Sequence, residues 1–189
     1  MHQLALRDCV RWYDHALPLA LCARLIAAFS KFSDQHVRRA PGWRPGLDDS
    51  AWTELDITPL ADDSLKRFFF RQIEEYLEKY NSEMRLSIPV PNSKRLAEFR
   101  MKRYRPNSGE KFQLHFDSIN EVCDRFLVFL WYLNDVTEGG ETEFPDFNVR
   151  VAARAGRLLM FPPYWMFQHA GLPPVSSDKY ILSTYMLFS

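Results

Sequence analysis

The chain has 189 residues, with 24 basic and 24 acidic side chains, a formal net charge of zero and an isoelectric point near 7.0. That length fits a single domain able to bury a core without disulfides or metal staples. Zero net charge excludes a nucleic-acid footprint by total charge, and a 15% aromatic content excludes disorder over most of the chain. No apolar run approaches the roughly 18 residues of a membrane span. The opening MHQLALRDCVRWYDH lacks a long apolar core and a small-residue cleavage site, so no secretory leader is expected. Cys9, Cys22 and Cys123 are odd in number and widely spaced, which suits reduced thiols and a cytoplasmic location rather than a disulfide framework. No nucleic-acid or membrane partner is expected, and the sequence sets no oligomeric state.

Residues 1–85 read as helical. In HALPLALCARLIAAFS, Leu17, Leu21, Leu25 and Ala28 recur at helical spacing, with Pro18 tolerated in the first turn. APGWRPGLDDSAW follows, a loop by its Pro and Gly content, and then WTELDIT alternates like a strand. Asp62 and Asp63 are candidate caps for DDSLKRFFFRQIEEYLEKYN, where Leu65, Phe69, Ile73, Tyr76, Leu77 and Tyr80 form one apolar stripe. The run Phe68-Phe69-Phe70 reads as core packing on a sheet.

From about residue 93 the pattern becomes short extended runs separated by turns. RLAEFRMKRY, KFQLHFD, RFLVFLWYLN, FNVRVAA, GRLLMFP, MFQHAG and KYILSTYMLF are strand candidates, and PNSGE and TEGGET are turns. Seven or eight short strands at regular spacing predict a sandwich, barrel or jelly roll, with helices against one sheet: an α+β arrangement.

The histidines carry the chemistry. His115 and Asp117 lie two apart in a candidate strand and therefore on one face. An imidazole and a carboxylate so placed are two ligands of a 2-His-1-carboxylate facial triad. His-x-Asp alone is a short pattern that also arises by chance. His169, on a later strand candidate, supplies the second imidazole; a lone histidine there would otherwise be a hydrogen-bonded core residue. Lys179, ten residues further on, is a cation placed to hold a distal carboxylate, where a single lysine would by default be solvated.

His115-Phe116-Asp117, His169 and Lys179 together resemble the Fe(II)/2-oxoglutarate dioxygenases, specifically their prolyl 4-hydroxylase-like branch. RYRPNSGEKFQLHFD resembles that branch's Tyr, Gly and His-x-Asp run. RFLVFLWYLND is similar to its strand ending Tyr-Leu-Asn, and GGETEFPDFNVRVAARAGRLLMFP to its Gly-Gly-Glu-Thr-x-Phe turn with the strand that follows. The resemblance covers about residues 95–189, whereas 1–94 match only loosely, as helical support with a lid loop at 40–50.

The resemblance implies a single domain whose core, 95–189, is a double-stranded β-helix. It implies Fe(II) held by His115, Asp117 and His169, with O2 and 2-oxoglutarate as co-substrates and ascorbate as an optional accessory. Tyr104, Tyr132, Thr142, Lys179 and Ser183 fall where family members line the 2-oxoglutarate pocket. Tyr185 stands where many relatives carry Trp, in the pocket wall. Some relatives carry Arg at the position of Lys179, which aligns this chain with the collagen-type rather than the oxygen-sensing hydroxylases. Related halogenases replace the carboxylate at the position of Asp117 with a small residue, so Asp117 implies hydroxylation. Neutral imidazoles are required for metal binding, so activity is expected to fall in acid.

Three further residues are candidate substrate contacts. Glu98, Arg100, Lys102 and Tyr104 share one strand face by period two, so Arg100 can point inward to grip a carboxylate or a peptide carbonyl. Trp165 and Tyr185 are expected on the rim and wall, and Trp43 over the mouth. The leading expectation is a hydroxylase of a prolyl or other residue in a peptide or protein, releasing succinate and CO2. Its peptide groove would come from the 40–50 loop and Ser118–Asp124. The alternatives are a hydroxylase of a free amino acid or small metabolite, and, in a different class, a non-catalytic jelly-roll binding module. Against the last, all three ligands and the basic residue are present together.

Overall fold

Strands whose side chains alternate between two faces can bury both, and this chain does so with two antiparallel sheets. The structure, a computed structural model, describes residues 4–43 and 46–188. In chain order the elements are β1 (Arg11–Tyr13), α1 (Leu19–Lys31), β2 (Val37–Arg39), β3 (Trp52–Asp56), α2 (Asp63–Met84), β4 (Arg100–Tyr104), β5 (Phe112–His115), β6 (Arg125–Tyr132), β7 (Thr142–Phe144), β8 (Val149–Val151), β9 (Leu158–Phe161), β10 (His169–Gly171) and β11 (Lys179–Leu187). The major sheet runs β1-β9-β6-β11-β4-β3-β2 and the minor sheet β5-β10-β7-β8.

β6 shows how one sequence serves two cores. Leu127, Phe129 and Trp131 face the helices, where they meet Leu25 and Phe29 of α1 and Phe69, Ile73 and Leu77 of α2. Val128, Leu130 and Tyr132 face the other way and join Tyr104, Phe144 and Phe161 between the sheets. Such a strand reads as a continuous apolar run because both its faces are covered.

The helices begin as their sequences dictate. Pro18 sits just before the first turn of α1, where its missing N–H and fixed φ cost nothing. Asp62 caps α2, its Oδ1 accepting from the Leu65 N–H at 2.8 Å. Of the triple phenylalanine, Phe69 is buried and Phe68 packs at the core's edge, but Phe70 is exposed: consecutive helical residues point about 100° apart, so three cannot share one face.

The first 94 residues contribute more than helices. β3 pairs with β4, β2 with β3, and β1 with β9, so three strands of the major sheet come from this part; of these, β3 falls in the alternating WTELDIT and the other two were read as helix or loop. β1 and β2 have three residues each, too short for periodicity to reveal. The TEGGET turn runs directly into β7, which begins at Thr142. Gly156 has φ +78° and a Cβ there would meet the Leu17 carbonyl at 2.5 Å, so only glycine lets this turn close on the start of α1. Arg44 and Pro45 of the 40–50 loop lie outside the described residues. No described helix is long and apolar enough to cross a membrane.

Candidate metal centre and active site

β5 and β10 are antiparallel neighbours, and their register sets His115 directly opposite His169. Asp117 lies just past the end of β5, where its N–H donates to the Pro163 carbonyl at 3.0 Å. Their ligand atoms lie within 4.8 Å of one another. Each imidazole is oriented by its own backbone. Nδ1 of His115 donates to the Gln113 carbonyl at 2.7 Å, and Nδ1 of His169 to that of Phe167 at 3.0 Å. A carbonyl only accepts, so both Nδ1 atoms carry the proton and both Nε2 atoms present a lone pair.

Those two Nε2 atoms face Asp117, at 3.4 Å from Oδ1 and 3.3 Å from Oδ2. Lone pairs then converge on lone pairs, and the Nε2 of His115 is buried without a hydrogen-bond partner among the described residues. Burial at this depth disfavours an imidazolium, and together with the charge of His169 it pushes His115 below its ordinary value. Burial alone would raise Asp117, but the two imidazoles that face it, which on protonation would offer it charge and hydrogen bonds, hold it well below the usual carboxylate range. Two neutral imidazoles and a carboxylate converging on one point fit a divalent transition metal with open positions, and Fe(II) by donor type. The Phe112 ring stacks on His115 at 3.7 Å, and the Tyr185 hydroxyl donates to Asp117 Oδ1 at 3.1 Å.

Two cavities meet at this point. A narrow inner one runs between the sheets to Lys179 and is bordered by Tyr104, Thr142, Gly171 and Ser183. Lys179 is buried and makes no ion pair among the described residues; burial lowers it to about 7, Glu141 pulling it up and Lys102 down. The Tyr104 ring lies 5.4 Å from its Nζ. An outer cavity of about 500 Å³ adjoins the inner one at His115 and Asp117, between the 40–50 loop and the segment 119–122.

The residues expected at the co-substrate pocket divide. Tyr104, Thr142, Lys179 and Ser183 border the inner cavity, but Tyr132 stands behind it. It is fully buried, and its hydroxyl donates to the Thr142 Oγ1 at 2.7 Å, so it positions Thr142 instead of lining the space. Among the expected substrate contacts, Arg100 and Tyr185 line the outer cavity. Arg100 is already engaged, with Nη1 3.0 Å from Glu54 Oε1. Trp165 lines neither cavity and is 66% exposed. Trp43 borders the outer cavity, edge-on to Trp52 at 5.7 Å.

Sequence reasoning missed the roles of three groups and one contact of a fourth. Glu54 on β3 binds Arg39, Arg100 and the Trp52 N–H together. Lys102 lies between the cavities, Gly171 leaves room for Lys179, and Tyr185 holds the metal-facing carboxylate. The contact of Tyr185 was available from period two, since Lys179, Ile181, Ser183 and Tyr185 share one face of β11. Glu54 was not, because nothing local shows that β3 lies beside β4.

Residues 99–187 match the family model of the 2OG-Fe(II) oxygenase superfamily. No curated protein sequence matches the chain. Among solved structures, the chain is similar to a viral collagen prolyl hydroxylase from Paramecium bursaria Chlorella virus-1 in complex with 2-oxoglutarate, at TM-score 0.71 and 21% identity, covering 94% of each chain. It is similar to a Pseudomonas putida prolyl-4-hydroxylase at TM-score 0.69 and 17% identity, covering 96% of this chain and 93% of that one. A third is a Trichoplax adhaerens prolyl hydroxylase in complex with a hypoxia inducible factor peptide, at TM-score 0.72 and 14% identity, covering 95% and 84%. At these identities the likeness is one of fold, the double-stranded β-helix of the prolyl hydroxylases.

The triad geometry and the matched segment, residues 99–187, together mark a 2OG-Fe(II) oxygenase domain in this chain. It is a 2-oxoglutarate-dependent oxygenase, an enzyme that uses Fe(II), 2-oxoglutarate and O2.

Proposed function

We propose that the protein hydroxylates a prolyl or other residue within a peptide or protein, with release of succinate and CO2. The observation that carries this reading is the arrangement of two adjoining cavities at one His-Asp-His cluster, a narrow one ending at a buried lysine and a wider one bordered by the exposed Trp43, Leu114 and Ile119. The wider one is bounded by separate chain segments around Trp43 and Ile119, which leaves room for an extended segment to pass. One of the similar structures is bound to a peptide, which supports the same choice.

In this reading Fe(II) is held by His115, Asp117 and His169, and when bound it supplies oxidation of a substrate C–H coupled to decarboxylation of 2-oxoglutarate. The rest is done by the chain. Lys179 receives the distal carboxylate of 2-oxoglutarate, and Thr142, held by Tyr132, and Ser183 add hydroxyls beside it. The Gln113 and Phe167 carbonyls keep both Nε2 atoms bare, and the Tyr185 hydroxyl holds Asp117 in one orientation. Phe112, Phe144 and Phe161 pack around the two imidazoles and exclude water from that side.

The test is addition of Fe(II) and 2-oxoglutarate under anaerobic conditions, followed by O2 and a panel of proline-containing peptides. A weak visible charge-transfer band is expected, and peptide-dependent succinate with a 16-Da gain on the peptide. Succinate with free amino acids and none with peptides would transfer the reading to a small-molecule hydroxylase.

A further inference from the structure

One buried charge is left over once the site is assembled. Lys102 is only 9% exposed, and it makes no ion pair or hydrogen bond among the described residues. Its Nζ lies 5.0 Å from the Trp52 ring and 4.9 Å from the Phe112 ring. The nearest strand offers a carboxylate, Glu54, but that group is spent elsewhere. Its Oε1 accepts from Arg39 and Arg100, both at 3.0 Å, and its Oε2 from the Trp52 Nε1 at 3.0 Å. Burying an ammonium without a partner is costly, and a fold keeps such a group where a ligand completes it. Aromatic faces repay part of that cost while the ligand is absent.

Position says which ligand. Lys102 borders both cavities, beside the metal-facing cluster and on the face of β4 that carries Arg100 and Tyr104. The outer cavity is lined by four cations, Arg39, Arg100, Lys102 and Arg125, against Glu54 and Glu98 besides Asp117. Arg39 and Arg100 both bond to Glu54, Arg100 also lies 3.7 Å from Glu98, and Arg125 lies 3.9 Å over the Tyr185 ring. On the reading above, the two carboxylates of 2-oxoglutarate are met by Lys179 and the metal, which leaves Lys102 without an anion.

We propose that Lys102 is a specificity-determining residue that receives a carboxylate of the substrate, so that the molecule oxidised carries an acidic group close to the attacked carbon. The proposal rests on the hydroxylase reading and narrows its substrate class to acids: an acidic side chain beside the target residue, or the free carboxylate of the target itself. A carboxylate entering this slot gains a charge-assisted hydrogen bond in a site walled by Trp52 and Phe112.

Two acid–amide pairs test this. One is a capped proline peptide with Glu beside the proline and its Gln counterpart; the other is L-proline and L-prolinamide. Binding to the anaerobic Fe(II)/2-oxoglutarate complex is read from the perturbed visible band and, independently, by calorimetry. In at least one pair the acid should half-saturate the wild type at a concentration at least tenfold lower than the amide. Lys102→Met should erase that difference, and Lys102→Arg should keep it. Equal binding of acid and amide in both pairs, no binding of any member, or a preference that survives in Lys102→Met would overturn the proposal. So would a Lys102→Met variant whose main loss is affinity for 2-oxoglutarate alone, since the anion would then be the co-substrate. A Lys102-dependent preference for L-proline with both peptides silent would sink the peptide reading and leave the carboxylate receptor standing. Absence of the band would count against the oxygenase chemistry, while calorimetry still reads Lys102.

Discussion

The two buried lysines make an instructive pair. Lys179 opens β11 and closes the inner cavity, and Lys102 lies in the middle of β4 where the cavities join. Both are depressed by burial, and the charge of Lys102 depresses Lys179 further. They differ in surroundings. Lys179 is enclosed by Tyr104, Tyr132 and the bare face of Gly171, so it can meet only a small ligand threaded past the metal. Lys102 is walled by Trp52 and Phe112 and faces open space. The difference teaches that a buried cation reports a missing anion, and that the shape around it tells which one.

The comparison is broken most severely by removing the centre both lysines serve. His169→Ala or Asp117→Ala should abolish Fe(II)-dependent succinate formation, a loss of at least about 100-fold, since even partners of metal ligands contribute 10–100-fold. Turnover within tenfold of wild type in either variant would remove that residue from the ligand set. Next comes Lys179→Ala. Removing one partner of a buried ion pair costs roughly 3–5 kcal/mol, so half-saturation by 2-oxoglutarate should rise by about 100-fold or more. Lys102→Met should leave that value within about threefold, a smaller change than any loss of a buried pair partner. Equal effects of the two substitutions would erase the distinction between the lysines.

Tyr185→Phe ranks third. It deletes the hydroxyl that donates to Asp117 Oδ1 without changing the ring beneath Arg125. Fe(II) affinity should fall about tenfold, with 2-oxoglutarate affinity at saturating metal unchanged. A variant that binds Fe(II) like the wild type would make this contact incidental.

How much of this was legible depends on the range of the signal. Runs rich in aromatic and branched apolar residues exposed β4, β6 and β11, and period two within β4 gave the shared face of Arg100, Lys102 and Tyr104. His115, Asp117, His169 and Lys179 were found because two lie within three residues and the spacing of the others follows a family pattern. The depth of Tyr132 was not legible because a side chain's face is periodic but its depth is not: its hydroxyl meets Thr142 and its ring lies 5.8 Å from the Lys179 ammonium, while the residues bordering the inner cavity stand in front of it. The place of Trp165 outside both cavity linings was not legible because a turn's direction is set by tertiary contacts. Glu54 and the open ammonium of Lys102 were invisible because both follow from β3–β4 pairing across 46 residues.

The smallest effect distinguishes the lysines by titration. Lys179 lies at about 7, burial being the main cause. A carboxylate bound beside it restores the ammonium, so above pH 7 binding of 2-oxoglutarate takes up a proton, and below pH 7 it does not. The dissociation constant should therefore be flat from pH 6 to 7 and then rise by about tenfold per unit. In Lys179→Arg the profile should stay flat to pH 9, because guanidinium does not titrate there. In Lys102→Met the break should move upward, because one of the charges that depresses Lys179 has gone. A wild-type profile flat to pH 9 would mean that Lys179 enters the site already charged, and the two lysines would then differ by shape alone.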